Sequence, residues 1–317
     1  MAKRAKKQEQ KRRRIGRRAA LAGLLCCALA LLGGLLGYMG VQARAVHLCS
    51  ADVYLADLPA SLDGVTLLLV SDLNIRNGAD AARCRSIFSK LRALQPDVLL
   101  LGGDYSARTL GEVLNGAPET QAKAAALDFL SGLASFQAPL GKFAVLGERD
   151  GDEAALRTAL AAGGVELLAD ECAVVARGED EMVIAGLTDT SRQLTPYSQI
   201  GRYFTGDECV VALAHNPTAY VGVRVAEAKN GGAWADLVLS GHTLGGQICA
   251  FGRTLHTLPE AEARCLAGWF YTDDLPLLVS RGLGCDGAML RLGAQSEVWL
   301  LTLRRPETVD MTTLPDL

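Results

Sequence analysis

Ala-Asp-Leu-Val-Leu-Ser-Gly-His-Thr-Leu-Gly-Gly-Gln-Ile is the stretch at residues 235–248. Its apolar run at 237–239 continues directly into Ser240, Gly241 and His242, and a glycine pair follows. Short apolar runs bounded by glycine are typical of buried strands that end in tight loops. Because ligand sites in open α/β sheets collect at the carboxyl ends of strands, we expect His242 to lie at such a site.

Four other apolar runs end in polar residues in the same way. Asp72 and Asn74 follow 65–71, Asp104 follows 97–101, Glu148 and Arg149 follow 143–146, and His215 follows 210–214. If these runs are strands of one fold, their ends converge on one edge. Carboxylate and imidazole groups are ligands for Mn, Fe and Zn. The sequence therefore predicts a metal site at this edge.

Helical and strand patterns alternate through the first half of the chain, and a β-rich half follows. The predicted helices are 80–94, 121–136, 152–162 and 217–229. Runs at 247–251, 277–280 and 297–303 are predicted as strands of a second sheet. This order predicts an α/β fold in which two sheets pack face to face with helices outside.

The order of the motifs resembles that of the calcineurin-like metallophosphoesterases, and in particular the membrane-anchored bacterial branch of that family. The resemblance rests on Asp72, Gly103-Asp104, Gly147-Glu148-Arg149-Asp150, His215 and the Gly-His-Thr-Leu-Gly-Gly-Gln run at 241–247. It covers roughly residues 58–303. It implies a four-layer αββα sandwich of two mixed sheets with a site for two metal ions.

Half of the positions that the resemblance assigns to the metal site differ from the family pattern. Asn74 and Leu244 stand where the family has histidines, Glu148 replaces a metal-binding asparagine, and Arg149 replaces a histidine beside the phosphate. The resemblance thus implies a degenerate site. One metal position would keep only Asp72, Asp104 and the weak amide of Asn74.

The second metal position would be intact. The resemblance assigns to it Asp104, Glu148, His215 and His242, two carboxylates and two imidazoles, which suit one divalent transition metal, Mn, Fe or Zn. Arg149 would hold a phosphate, and Arg149 and Asp72 are the candidate catalytic residues. The alternative is that no metal binds.

Two side chains near the site have open alternatives. Glu148 either binds the metal or forms an ion pair with Arg149 or Arg281. His256 either swings into the dismantled metal position or is an ordinary surface histidine.

The N-terminal region predicts a membrane anchor. Residues 1–18 hold ten Lys and Arg against one acidic residue, Glu9, and residues 19–41 carry no charge. Twenty-three helical residues span about 34 Å, enough for a bilayer core. By the positive-inside rule, residues 1–18 form a basic cytoplasmic arm and the main domain lies outside the cytoplasm, in a single-pass arrangement at the cell membrane.

The anchor has alternatives too. Ala43-Arg-Ala45 resembles a signal-peptide cleavage site, and Arg17-Arg18 a twin-arginine signal. Gly33 and Gly37 form a Gly-x-x-x-Gly pair through which two helices could dimerise.

The rest of the chain is divided as a linker at 42–57, the metallophosphoesterase-like domain at 58–305 and a tail at 306–317. Beyond residue 18 the chain has 22 basic and 34 acidic residues, which argues against nucleic acid as a partner. Seven cysteines lie outside the anchor without a CxxC spacing, and we expect them to be core residues rather than zinc ligands.

Two functions follow from these observations. The first is a membrane-anchored phosphoesterase, a hydrolase of weak activity that works with a single metal on a phosphorylated small molecule or lipid. The second is a pseudoenzyme without catalytic activity that binds a phosphorylated lipid, a cell-wall intermediate or a protein partner.

Overall fold

Two mixed six-stranded sheets form the body of the computed structural model, which describes residues 2–115, 120–189, 197–251, 253–255, 259–272 and 275–306. The helices are α1 (Ala2–Arg44), α2 (Gly78–Leu91), α3 (Leu110–Asn115), α4 (Thr120–Ser131), α5 (Glu153–Ala162), α6 (Tyr197–Gly201), α7 (Ala219–Val225) and α8 (Glu260–Ala263).

Fourteen strands lie in the described ranges. They are β1 (Val46–Tyr54), β2 (Thr66–Val70), β3 (Val98–Leu101), β4 (Gly141–Ala144), β5 (Glu166–Leu167), β6 (Glu171–Arg177), β7 (Asp180–Leu187), β8 (Val210–Ala214), β9 (Leu237–Ser240), β10 (Cys249–Ala250), β11 (Arg253–Thr254), β12 (Gly268–Thr272), β13 (Leu275–Val279) and β14 (Ser296–Arg304). Sheet one has the order β1-β14-β2-β3-β4-β5, and sheet two the order β12-β13-β9-β8-β7-β6. Strands β10 and β11 form a separate hairpin.

Each central strand is apolar on both faces because each face is covered. In β2, Leu67 and Leu69 face the second sheet, whereas Leu68 and Val70 pack with Phe88 and the other helix residues on the outside. The same alternation holds in sheet two, whose outer face is covered by α6 and α7. The predicted four-layer αββα sandwich is confirmed, and the continuous apolar runs are explained by burial on both faces.

The four predicted helices are all present, with ends that differ by up to five residues from those predicted. The helix predicted at 217–229 covers only Ala219–Val225, and Asn77 and Asp152 cap the starts of α2 and α5 through their side-chain oxygens. These caps accept backbone N–H groups that have no partner inside the helix.

Two β predictions need correction. Residues 297–303 were predicted for the second sheet, but β14 lies in sheet one, between β1 and β2. The run at 247–251 is reduced to the two residues of β10, in the separate hairpin. Residues 277–280 do belong to sheet two, as β13.

Strand β1 lies inside the stretch predicted as a linker, 42–57. It pairs in parallel with β14 over nine residues, from Val46 opposite Ser296 to Tyr54 opposite Arg304. Its burial pattern is mostly half-buried or exposed, as expected for an edge strand. The chain between helix and domain is therefore part of the sheet rather than a free tether.

Helix α1 runs without interruption from the predicted basic arm through the predicted anchor. Its segment Arg13–Arg44 is long and apolar enough to cross a membrane, by length and composition, and it is not buried against the domain along its apolar window. A signal sequence near an N-terminus has the same properties, so both predictions for this segment remain. Residues 307–317 of the predicted tail lie outside the described residues.

The cysteines differ from the expectation of core residues. Cys84, Cys209 and Cys285 are buried, but Cys172 is exposed and the other three outside α1 are half-buried. All nine are free thiols.

One buried cation ties several loops together. The guanidinium of Arg291 is fully buried and donates to the carbonyl oxygens of five residues, Gly284, Leu244, Ala294, Arg281 and Gly282. Its backbone N–H donates to the carbonyl oxygen of Met39 in α1 at 3.1 Å. Arg291 therefore fixes the loops after β9 and β13 relative to the end of α1.

Candidate metal centre

Five strand ends from the two sheets meet at one edge of the sandwich. Three belong to the parallel strands β2, β3 and β4 of sheet one, and two to the parallel strands β8 and β9 of sheet two. The predicted residues follow directly after these strands. The structure thus brings together the side chains of Asp72, Asp104, Glu148, His215 and His242 in two overlapping groups whose ligand atoms lie within 4.8 Å of one another.

The first group is formed by Glu148, His215 and His242. Glu148 Oε2 lies 2.9 Å from His215 Nε2 and 3.0 Å from His242 Nδ1, and the two ring nitrogens are 3.3 Å apart. Nitrogen ligands bound at about 2.0–2.1 Å in a tetrahedral zinc site lie roughly 3.3–3.4 Å from each other. The three donor atoms suit a divalent metal ion in their chemistry, and the spacing of the two nitrogens matches such a site, whereas the two distances from Glu148 are those of hydrogen bonds.

Asp104 lies beside this triangle. Its Oδ1 is 3.6 Å from His215 Nε2, and its side chain is buried. The second group joins Asp104 to Asp72 and again to His215. The fully buried His215 is common to both groups, so the two candidate ligand groups share one imidazole.

Buried Asp150 holds the Asp104 loop in place. Its carboxylate accepts the backbone N–H groups of Asp104 at 2.8 Å, Tyr105 at 3.0 Å and Gly147 at 2.9 Å. Gly147 is required by space, because a Cβ atom there would lie 2.2 Å from Asp104 Oδ1. The Gly147–Asp150 turn is thus built around the carboxylate of Asp104.

Asp72, a member of the second group, also supports His242. Both of its carboxylate oxygens accept the backbone N–H of His242 at 3.1 Å. Glycines surround it: a Cβ atom at Gly241 would lie 2.4 Å from Asp72 Oδ2, and one at Gly282 would lie 2.6 Å from Asp72 Cβ. Asp72 therefore fixes the start of the loop that carries His242.

Asn74 differs from every other predicted site residue. It is 1% exposed, yet neither Oδ1 nor Nδ2 has a hydrogen-bond partner among the described residues. Leu244, at the other substituted position of the same family metal site, is also buried. A buried amide without a hydrogen-bond partner costs free energy of folding. Either a ligand pairs with Asn74, or this half of the site destabilises the protein.

Arg149 is held by three carboxylates. Its Nη1 lies 3.0 Å from Asp286 Oδ1, and its Nε lies 3.6 Å from Asp104 Oδ2 and 3.5 Å from Glu148 Oε1. The ion pair of Glu148 with Arg149 therefore coexists with its contacts to the histidines. Arg281 instead pairs with buried Glu297, so the alternative of an Arg281–Glu148 pair is wrong. His256 lies outside the described residues.

Outer groups orient both imidazoles. His215 Nδ1 lies 2.6 Å from the carbonyl oxygen of Gly102, and His242 Nε2 lies 3.1 Å from Glu262 Oε2. Glu262 also accepts the side-chain amide of Asn216 at 3.2 Å. Histidines that bind metals commonly use their other ring nitrogen in this way. Sequence reasoning missed Glu262 and Asp286, because neither follows a strand or belongs to a motif.

The site backbone is strained. Five of the predicted or substituted positions, Asp72, Asn74, Asp104, His242 and Leu244, adopt positive φ values between 45° and 72°. Left-handed backbone is uncommon for residues other than glycine and clusters at functional sites, where packing maintains it. Here the close glycine contacts provide that packing.

The cluster is electrostatically coupled. Burial raises the pKa of Asp104 to about 8, although His215 acts in the opposite direction. Burial also acts to raise the pKa of Glu148, but hydrogen bonds from His215 and His242 outweigh it and bring that pKa below its ordinary value. For His215, burial acts to lower the pKa, whereas Asp104 and Glu148 raise it well above its ordinary value. The pKa of His242 is raised in the same way, with burial opposed by Glu148.

No protein-family model matches the chain, but curated proteins do. A Danio rerio transmembrane protein with a metallophosphoesterase domain is 24% identical over 303 residues, 91% of this chain and 63% of that protein. The chain thus spans less than two thirds of the zebrafish relative.

Two bacterial relatives are also similar. An uncharacterized metallophosphoesterase of Bacillus subtilis is 23% identical over 301 residues, 92% of this chain and 99% of that protein. Another from Aquifex aeolicus is 29% identical over 223 residues, 66% of this chain and 74% of that protein. With the αββα fold and the ligand groups at its edge, the chain belongs to the calcineurin-like metallophosphoesterase family.

Proposed function

We propose that the protein is a membrane-anchored phosphoester hydrolase that works with one divalent transition metal. Glu148, His215 and His242 would hold the metal, with Asp104 as the fourth ligand. The single observation that carries the proposal is the donor triangle, which has edges of 2.9, 3.0 and 3.3 Å.

Bound there, a divalent metal polarises a phosphoryl oxygen and lowers the pKa of bound water. The chain supplies the remaining functions. Arg149 is 28% exposed at its side chain and presents a guanidinium beside Asp104, where it would bind a phosphate oxygen. Asp286 holds that guanidinium from the other side and so fixes its orientation.

Proton transfer is the weak point of this site. Arginine stays charged and is a poor proton donor, so Arg149 does not replace a histidine that protonates a leaving oxygen. We therefore expect turnover to be slow and to depend on the leaving group. Esters of acidic alcohols such as nitrophenol, which leave without a proton, should react faster than alkyl esters.

The proposal includes the membrane. The apolar segment in α1, the basic residues before it and a zebrafish relative named as a transmembrane protein support a single-pass anchor. By the positive-inside rule the N-terminus is cytoplasmic and the domain extracytoplasmic. A substrate at or near the membrane, such as a phosphorylated lipid, fits this location.

Metal content of the full-length protein in detergent tests the proposal. After incubation with Mn²⁺, Fe²⁺ or Zn²⁺ and washing, we expect about one metal ion per chain and slow hydrolysis of bis(p-nitrophenyl) phosphate. The His215→Ala/His242→Ala variant should lose both. The matched control is His47→Ala, an exposed position on β1 outside the triangle. Turnover that survives in the double variant would contradict the proposal.

A second candidate is a pseudoenzyme that binds without hydrolysis. The observation that favours it is that Glu148 already satisfies both imidazoles and Arg149 is fully engaged by carboxylates. The cluster is thus neutralised by its own side chains. Leu244 would fill the space of the lost metal.

Restoring the family residues separates the two candidates. The variant Asn74→His/Glu148→Asn/Arg149→His/Leu244→His should gain hydrolysis that the natural protein lacks, if the natural protein is a pseudoenzyme. Equal activity of the two proteins would favour the single-metal hydrolase.

A further inference from the structure

The end of helix α1 and the metal centre lie at the same edge of sheet one. Strand β14 runs antiparallel to β2, and β1 runs parallel to β14, so β1 begins where β2 ends. The register pairs Val46 with Ser296, and Trp299 with Leu69. Two strand spacings, roughly 10 Å, therefore separate the start of β1 from the strand end that carries Asp72.

The last turns of α1 are docked into the domain at this edge. Met39 and Ala43 are buried, whereas the large apolar side chains before them are exposed. The carbonyl oxygen of Ala43 accepts from Arg83 Nη2 at 3.0 Å and from Ser296 Oγ at 3.2 Å. A cation at the end of a helix stabilises its unpaired carbonyl groups. The helix thus leaves the domain from a fixed point.

A hairpin with an exposed aromatic tip lies beside this exit point. Its base pairs with Leu292: the N–H of Cys249 donates to the carbonyl oxygen of Leu292 at 2.7 Å, and the N–H of Leu292 donates to that of Gln247. The next residue, Gly293, donates to Gln42 Oε1 in α1 at 3.2 Å. Leu292, which bonds to the base of the hairpin, and Gly293, which bonds to α1, are neighbours in the chain, so the hairpin base and the end of the helix lie side by side.

None of the described residues covers the tip. Phe251 is fully exposed with a φ of 52°, and Leu255, just after β11, is 70% exposed. Soluble surfaces seldom present an unsupported aromatic side chain on a left-handed backbone, because both the exposure and the conformation cost free energy. Aromatic side chains are favoured at the boundary between lipid headgroups and acyl chains.

We propose that Phe251, at the tip of the β10–β11 hairpin, and Leu255, just after β11, insert into the lipid–water interface beside the end of α1. The inference rests on the proposed membrane anchoring. The hairpin follows directly from the loop that carries His242, so its contact with lipid turns the metal centre toward the bilayer surface. The substrate class that fits is the phosphate headgroup of a membrane lipid, reached without leaving the bilayer.

The position of the hairpin tip favours contact with a lipid surface over contact with a protein. The exposed tip is next to the point where an apolar helix leaves the domain, and that helix is the part of the chain suited to a bilayer. Tyr203 is 71% exposed but lines a groove beside Glu166 and Leu167, at the edge of sheet one opposite β1.

Fluorescence quenching by lipid tests the inference on the full-length protein. The variant Phe251→Trp would be reconstituted in phosphatidylcholine vesicles whose acyl chains carry bromine near the ester end, and in unbrominated vesicles. Tyr203→Trp is the matched control. The natural protein supplies the background of its three tryptophans. We expect bromine to remove the emission that Phe251→Trp adds, and to leave the emission that Tyr203→Trp adds.

The outcomes separate the inference from its premise. Failure of the natural protein to float with the vesicles would overturn the membrane anchoring and this inference together. Flotation with equal quenching of the two variants would overturn the hairpin contact alone. Emission of Phe251→Trp that shifts to the blue, resists bromine and depends on the number of chains per vesicle would assign the tip to a second copy instead. None of these readouts depends on bound metal or on turnover.

Discussion

The two halves of the candidate centre have the same position in the fold but opposite internal chemistry. In the half formed by Glu148, His215 and His242, every donor atom has a partner within 3.3 Å. In the half formed by Asn74 and Leu244, a buried amide without a described partner lies in the same region as a buried leucine. The comparison teaches that substitution need not be uniform: one half keeps a complete set of candidate donors, while the other keeps the carboxylates of Asp72 and Asp104 beside two substituted positions.

The largest expected difference between the halves concerns metal affinity. Glu148→Gln keeps the side-chain shape but removes the charge that both imidazoles face, so metal affinity should fall about 100-fold or more, since loss of outer-shell partners alone costs 10–100-fold. Asn74→Ala, in the other half, should leave affinity unchanged. Equilibrium dialysis against Zn²⁺ measures both. Equal losses in the two variants would mean that both halves hold the ion.

The second largest difference should come from adding a methyl group at a glycine beside each half. Gly147→Ala would place a Cβ atom 2.2 Å from Asp104 Oδ1 and 2.8 Å from His215 Nε2, which displaces two candidate ligands. Gly284→Ala would instead press on Leu73 and Asn74, at 2.2 and 2.6 Å. Both variants should unfold at lower temperature, because no space is free for the methyl group. Only Gly147→Ala should also lose metal, which the metal content of the folded fraction would reveal.

Acidification should affect only the half with the histidines. The raised pKa values of His215 and His242 mean that the metal-free cluster holds protons that the metal must displace. Affinity should therefore rise with pH, about tenfold per pH unit for each proton released, and deprotonation of Asp104 near pH 8 adds to the rise. Metal titrations between pH 6 and 9 measure this slope. A flat profile would show that no proton is displaced.

The smallest expected effect is a gain in stability. Asn74→Leu replaces an unpaired buried amide by an apolar group of similar volume, which should stabilise the metal-free protein by about 1 kcal/mol. The melting temperature should rise by about 2–4 °C. Thermal unfolding of the full-length protein in detergent, followed by circular dichroism, measures it. A lower melting temperature would mean that the amide has a partner or that the left-handed backbone at residue 74 disfavours leucine. Asn74→Ala, which faces the same backbone but has no amide, separates these two causes.

Much of the fold followed from local pattern. The fully apolar strands β2, β3 and β8 could be predicted because burial on both faces leaves an unbroken run of apolar residues. The convergence of Asp72, Asp104 and the histidines could be predicted because each follows such a strand.

What could not be predicted depends on pairing across long distances in the chain. Strand β1 is half polar, and its partner β14 begins 250 residues later, so nothing local marks it as part of a sheet. The placement of β14 beside β2 is likewise invisible in its own sequence. Glu262 reaches the centre from the single-turn helix α8, and Asp286 reaches it from a loop. Neither segment is long enough or regular enough for a sequence periodicity to mark its side chain.

Arg291 joins the end of α1 to the loops after β9 and β13: its backbone N–H donates to Met39 in α1, and its guanidinium donates to carbonyl oxygens of both loops. A rotation of the helix relative to the domain would have to break these bonds or carry both loops with it. If α1 spans a bilayer as proposed, a tilt of the helix that follows bilayer thickness would be transmitted through Arg291 to the loops after β9 and β13. Arg291 would then couple the lipid environment mechanically to the geometry of the metal centre.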